Sequence, residues 1–141
     1  MLTGPHEVLL AEDNAADVFL VQRAVESITV PVNLHVVSDG DRAVRFIEAA
    51  DQDENAPCPE LLLLDLNLPK RSGQEVLERL RRSPRCGGIP VVIISSSQSP
   101  REKAAAAALG VAHYFRKPSD YDEFMTLGTI VRNMLTDTQA R

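Results

Sequence analysis

Short apolar runs alternate with amphipathic stretches five times along this chain. Glu7 to Asp13 reads as an apolar strand that ends in two acids. In Ala15 to Ile28, Leu20, Val21, Ala24, Val25 and Ile28 share one helical face, and Pro31 breaks that helix. Leu34 to Val37 is a second strand, and Ser38-Asp39-Gly40 turns into a helix over Asp41 to Ala50. The acidic stretch Asp51 to Pro59 carries two prolines and reads as a surface loop. Leu61 to Leu64 are four leucines in succession, the pattern of a strand buried on both faces. Asp65 follows where that strand should leave the sheet, and Pro69, with no N–H to donate, stops the ladder.

Ser72-Gly73 opens a third helix with Val76, Leu77 and Leu80 on one face. Gly87-Gly88-Ile89-Pro90 turns into a fourth buried strand, Val91 to Ile94, ending in Ser95-Ser96-Ser97. Pro100 sits near the start of a helix whose Ala104 to Ala108 give high propensity but little side chain to bury, and Gly110 caps it. His113 to Arg116 is the fifth strand, closed by Lys117-Pro118. A last helix, roughly Asp120 to Leu135, has Phe124, Leu127, Val131 and Leu135 on one stripe. Gly128 in its middle costs ~1 kcal/mol relative to alanine and is read as allowing close approach to the sheet.

Five strand-then-helix units with right-handed crossovers predict an α/β fold, a parallel sheet with helices on both faces. The size fits the doubly wound, flavodoxin-like (βα)5 arrangement with strand order 2-1-3-4-5. We expect one domain over residues 1–141, ordered over about 7–136, with loose termini.

Composition narrows the function. The 141 residues carry a net charge of −5 and show no basic stripe, which argues against nucleic-acid binding by bulk electrostatics. No apolar run reaches the ~18 residues of a membrane span, and no signal peptide is visible, so a cytoplasmic protein is expected. Cys58 and Cys86 follow no metal spacing and read as free thiols in a reducing compartment.

In such a sheet, ligands bind at the carboxyl ends of the strands, at the switch point between the first and third. Glu12-Asp13 and Asp65 end those two strands and should converge. Three close carboxylates repel, and a hard divalent cation resolves the repulsion. Magnesium, with manganese as a substitute, takes oxygen ligands and keeps several waters. Asp13 and Asp65 are read as direct ligands, with the backbone carbonyl of Asn67 as a third and Glu12 holding a coordinated water. Ser95, ending the fourth strand, offers a hydroxyl, and Lys117, ending the fifth, offers a cation. A phosphoryl group on Asp65 would need a metal, a donor and a cation, and the chain supplies one of each.

Glu12-Asp13, Asp65 with Leu68-Pro69 and Gly73, Ser95, and Lys117-Pro118 together resemble the receiver domain of two-component response regulators, over roughly residues 7 to 136. The resemblance implies that Asp65 accepts a phosphoryl group from a phosphohistidine of a sensor histidine kinase, with magnesium neutralising the developing charge. It implies that Lys117 pairs with a phosphate oxygen, that Ser95 moves to bond another, and that Tyr114 turns inward as the switch. The Lys117–Pro118 bond is similar to the family's cis peptide. Glu12 replaces an aspartate that the family often has. Asn67 and Ser97 match positions that tune loss of the phosphate. The protein is then a signalling phosphoacceptor rather than an enzyme with an external substrate. Glu-Asp-Asn-Ala-Ala-Asp, Leu-Asp-Leu-Asn-Leu-Pro-Lys, Ser-Ser-Ser-Gln and the long 51–59 loop resemble the stand-alone regulators of phytochrome-like kinases.

After the last helix no chain remains for an output domain, so the expected output is a protein contact or onward phosphotransfer. Val18 and Phe19, off the buried stripe of the first helix, suggest with Asn14 and Asp17 a kinase-docking face. Tyr121 and Met125 on one side of the last stripe, and Ile130 and Met134 on the other, widen its apolar band and suggest a homodimer face. Two alternatives use the same fold. An aspartate-nucleophile phosphatase needs a second acid where Asn67 stands. A flavin- or nucleotide-binding module needs a phosphate-cradling loop where Glu12-Asp13-Asn14 would repel phosphate.

Overall fold

The computed structural model describes residues 4–140, with side chains described through Thr136; residues 1–3 and 141 of the expected loose termini lie outside the described residues. Five strands, β1 (His6–Ala11), β2 (Val32–Val37), β3 (Leu61–Leu64), β4 (Val91–Ser95) and β5 (His113–Arg116), form one sheet. Its order is β2-β1-β3-β4-β5, all neighbours parallel, as expected. The helices are α1 (Ala15–Glu26), α2 (Gly40–Gln52), α3 (Gly73–Arg81), α4 (Pro100–Ala108), α5 (Tyr121–Met125) and α6 (Leu127–Ala140).

The four leucines of β3 alternate between two cores because successive side chains of a strand point to opposite faces. Leu62 and Leu64 join Leu9, Val91 and Ile93 against α2 and α3, around Ile47, Val76, Leu77 and Leu80. Leu61 and Leu63 join Val8, Leu10, Val92 and Ile94 against α1, α5 and α6, around Val21, Val25, Phe124, Leu127 and Val131. Both faces are therefore dry. The carboxyl ends of the strands are left as the place where a polar group can meet solvent.

The expected single last helix is two segments. Thr126 ends α5, and the tighter bonds Thr126 N to Glu123 O and Thr129 N to Thr126 O mark the junction. Gly128 approaches α1 rather than the sheet. A Cβ there would stand 2.6 Å from Ala24 O and 3.1 Å from Ser27 Oγ. The cysteines also depart from expectation: Cys58 and Cys86 form a disulfide, with Cα atoms 5.5 Å apart. The reason is topological. Cys58 precedes β3 and Cys86 precedes β4, and those strands are neighbours, so their leading loops meet.

Candidate functional site at the carboxyl ends of the strands

Each loop that leaves the sheet here is fixed by its own short-range chemistry. Asn14 caps α1, its Oδ1 accepting from Asp17 N at 2.9 Å, while Asn14 N donates to Glu12 Oε2 at 3.1 Å. Ser72 and Glu75 form a capping box that starts α3. Gly73 lies so close to the strand end that a Cβ would be 2.5 Å from Asp65 O and Leu66 Cα. Pro69 O accepts from Gly40 N at 3.1 Å, and Arg71 pairs with Asp41 at 2.9 Å. The loop after β3 is thus clasped to the start of α2. Lys70 within it takes a left-handed φ of 72°, a conformation uncommon for a residue with a side chain.

The ends of β1, β3, β4 and β5 surround a cleft of roughly 720 Å³, lined among others by Glu12, Asp13, Asn67 and Lys117. Glu12, Asp13 and Asp65 each bring a carboxylate oxygen within 4.8 Å of the others. Glu12 is 1% exposed and Asp65 5%, while Asp13 faces solvent. Asp65 Oδ1 accepts from Asn67 N at 3.0 Å. Ser95, wholly buried, accepts from Ser97 N through its Oγ at 3.0 Å, which leaves the hydroxyl proton available.

Lys117 enters from the end of β5, where its N–H donates to Ser95 O at 2.8 Å and extends the ladder by one bond. Its ammonium lies 2.7 Å from Asp17 Oδ2, 2.9 Å from Glu12 Oε1 and 3.4 Å from Asp65 Oδ2. Burial alone would depress this lysine, but its close contacts with Asp17 and Glu12 and the charge of Asp65 outweigh it and hold Lys117 above the ordinary lysine value. Burial pushes Glu12 up to about 7, helped by Asp65 and opposed by Lys117 and Asn14. Glu12 Oε1 is fully buried, and although Lys117 is near, no donor is aligned with it.

Three carboxylates with oxygens within 4.8 Å of one another, of which Glu12 and Asp65 share a single ammonium, fit a hard divalent cation. Glu12, Asp13, Asp65, Ser95 and Lys117 are all brought to one end of the sheet. Asp17 differs from expectation, being turned toward Lys117 rather than standing only on the docking face. Val18 is half-buried against the α1-side core, and Phe19 is 57% exposed. Tyr114 is half-buried; its hydroxyl reaches Ser97 O at 3.4 Å, and Lys103 Nζ lies 5.5 Å from the ring centre. Tyr121 is 47% exposed, whereas Met125, Ile130 and Met134 pack partly into the core. The expected cis bond at Pro118 is corrected: among the described residues no peptide bond is cis, and Lys117–Pro118 takes the trans form that X-Pro bonds favour by ~0.5–1 kcal/mol.

Comparison with known proteins agrees with this geometry. The response regulator receiver domain model matches residues 8–127. The response regulator Rcp1 of Synechocystis sp. is 39% identical over 113 residues, covering 80% of this chain and 77% of that protein. The solved phosphorylated cyanobacterial phytochrome response regulator RcpA superposes with a TM-score of 0.83 at 33% identity, over 92% of this chain and 93% of that one. The Mn2+-bound form of Rcp1 gives 0.81 at 34% identity, over the same shares. Among the described residues no helix is long and apolar enough to cross a membrane. On the strength of the matched span and of these relatives, the chain belongs to the response regulator receiver domain family.

Proposed function

We propose that this chain is a phosphoryl-accepting switch of a two-component pathway, with Asp65 as the acceptor. A carboxylate oxygen of Asp65 attacks the phosphorus of a kinase phosphohistidine. The P–N bond breaks, its electron pair stays on the imidazole nitrogen, and an acyl phosphate remains on Asp65. The carrying observation is the convergence of Asp65 with an acidic pair, a buried hydroxyl and a largely shielded ammonium contributed by four different strand ends.

Asp13, Asp65 and the Asn67 carbonyl would hold magnesium or manganese, with Glu12 acting through water. The ion would supply positive charge to the phosphoryl oxygens as negative charge builds there. Lys117 supplies a charge-assisted partner for a phosphoryl oxygen, and the free proton of Ser95 supplies a second donor. Because Ser95 also holds Ser97, and Tyr114 bonds the Ser97 carbonyl, a shift of the Ser95 hydroxyl is felt at the Tyr114 ring. Tyr114 is therefore the switch residue. The protein promotes only its own phosphorylation and dephosphorylation.

The partner is a sensor histidine kinase of the phytochrome type, a reading supported by RcpA, named as a phytochrome response regulator. Asn14, Val18 and the exposed Phe19, beside the cleft, form the docking face. The chain works as a cytoplasmic receiver, passing its state to a target protein or its phosphoryl group onward. Its homodimer face centres on exposed Tyr121, with Met125, Ile130 and Met134 contributing their edges.

Acetyl phosphate with magnesium, followed by intact mass, tests the acceptor: wild type gains one phosphoryl group and Asp65→Asn gains none. Phosphoryl on Asp65→Asn, or none on wild type, would overturn it. Equal transfer rates from a phytochrome kinase and from unrelated kinases would remove the pairing. Sedimentation showing monomer alone, phosphorylated or not, would remove the dimer.

A further inference from the structure

Lys117 touches the phosphoacceptor only at the longest of its three contacts. Of the three carboxylates around its ammonium, Asp17 is nearest at 2.7 Å and Asp65 is farthest at 3.4 Å. Asp17 sits three residues after the helix cap, so its carboxylate is placed by the start of α1. Asn14 Oδ1 holds the Asp17 N–H, and Glu12 Oε2 holds the Asn14 N–H. Glu12 Oε1 then returns to within 2.9 Å of Lys117, closing a ring of Glu12, Asn14, Asp17 and Lys117. The pair is largely shielded, with side-chain exposures of 13% for Lys117 and 22% for Asp17. An ion pair this shielded is only weakly screened by salt.

The consequence concerns competition for oxygen atoms. An ammonium and a divalent cation seek the same carboxylates, Glu12 and Asp65. Without Asp17, the nearest remaining acids for Lys117 are those two. From the observed geometry we propose that Asp17 is a positioning residue that takes the tightest hold on Lys117 and so loosens its grip on Asp65, leaving the acidic trio more open to the cation until a phosphoryl group draws the lysine over. This inference rests on the phosphoryl-switch reading above, and deepens it by naming a residue that governs access of the cation.

The test is a double-mutant cycle read by magnesium binding to the unphosphorylated protein, followed by calorimetry or amide NMR shifts. Asp17→Asn should weaken magnesium binding about fivefold, because the lysine then closes more tightly on Glu12 and Asp65. In a Lys117→Met background the same change should cost less than twofold, since there is no ammonium left to release. Asp17→Glu, which keeps the charge and lengthens the reach by one methylene, should stay within about twofold of wild type. Circular dichroism melts confirm that each variant is folded, so a lost affinity is not lost structure. Equal weakening in both backgrounds would show that Asp17 acts only through its own field and would overturn the proposal, as would unchanged affinity in Asp17→Asn. The two readings fail separately. A wild-type protein that neither binds magnesium nor gains phosphoryl sinks the switch, whereas normal wild-type binding with additive substitutions sinks only the role of Asp17.

Discussion

The two ends of the sheet solve opposite problems. At the amino ends of the strands, several side chains tie separate segments together. Arg81 reaches four carbonyls, Leu109 at 2.7 Å, Ile89 at 2.8 Å, Gly87 at 2.9 Å and Gly110 at 3.1 Å, and so joins the loops before β4 and β5. Arg85 binds the carbonyls of Ala50, Asp53 and Ala56. Asp51 takes Ser83 at 2.6 Å and Arg79 at 3.1 Å, and the Cys58–Cys86 bridge closes the same region. At the carboxyl ends, three acids share one ammonium, and a buried carboxylate oxygen meets it without an aligned hydrogen bond. One end holds the fold together, while the other keeps charge unbalanced so that a cation and a phosphoryl group have something to satisfy. Removing contacts at the first end should therefore lower stability and spare the chemistry, and altering the second should do the reverse.

The largest expected effect sharpens that contrast at the tied end. The bridge spans 28 residues, including β3 and α3, and closing such a loop in the unfolded chain is worth about 3–4 kcal/mol in the chain-entropy model. Urea unfolding of Cys58→Ala/Cys86→Ala should show a loss approaching that figure, and reduced wild type should behave alike. Acetyl-phosphate labelling of Asp65 should stay within about twofold, because neither cysteine touches the cleft. Labelling that falls in step with stability would mean the two ends are not separable.

Arg81 gives a smaller effect of the same sign. Its guanidinium is partly buried, and burial lowers its pKa below the ordinary arginine value. The fork nevertheless matches its four carbonyls, and a lysine has only one nitrogen to offer them. Arg81→Ala should cost about 2–3 kcal/mol in urea unfolding, through carbonyls left without their donor. Arg81→Lys should recover less than half, again with Asp65 labelling preserved.

Why one end was legible in the sequence and the other was not follows from the same contrast. The cleft residues sit directly after apolar runs, so finding the strands finds Glu12, Asp13, Asp65, Ser95 and Lys117 as well. The doubly wound order then brings them together without any knowledge of side-chain geometry. Asp17 was harder to read, since an acid in a first helical turn usually serves only the helix dipole. Its pairing with Lys117 joins residues a hundred positions apart. The Cys58–Cys86 bridge could have been found, because the expected strand order already set β3 beside β4. Spacing rules built for metal sites and small secreted scaffolds passed over it. The carbonyl contacts of Arg81 and Arg85 leave no mark in hydropathy at all, because their acceptors are backbone atoms. The division of the last helix is equally silent, since Thr126 and Gly128 interrupt a stripe that stays apolar throughout.

The smallest expected effect is at the open end and has the opposite sign. Glu12 is held at about 7 in the folded protein, chiefly by burial and then by Asp65, against an ordinary value of 4.5. A carboxyl raised in this way binds its proton more readily folded than unfolded. Stability should therefore rise as pH falls from about 7 toward 4.5, and should be lost again as pH climbs back through that window. Lys117, raised above its ordinary value, stays charged throughout and adds no slope there. With metal chelated, the urea midpoint of wild type should increase between pH 8 and pH 5 by an amount worth on the order of 1 kcal/mol. Glu12→Gln, neutral at every pH, should remove that increment. Magnesium should flatten the wild-type slope by favouring the ionised acid. A wild-type slope identical to that of Glu12→Gln would mean that the carboxyl is balanced by Lys117 after all, and that the two ends of the sheet differ less than their contacts indicate.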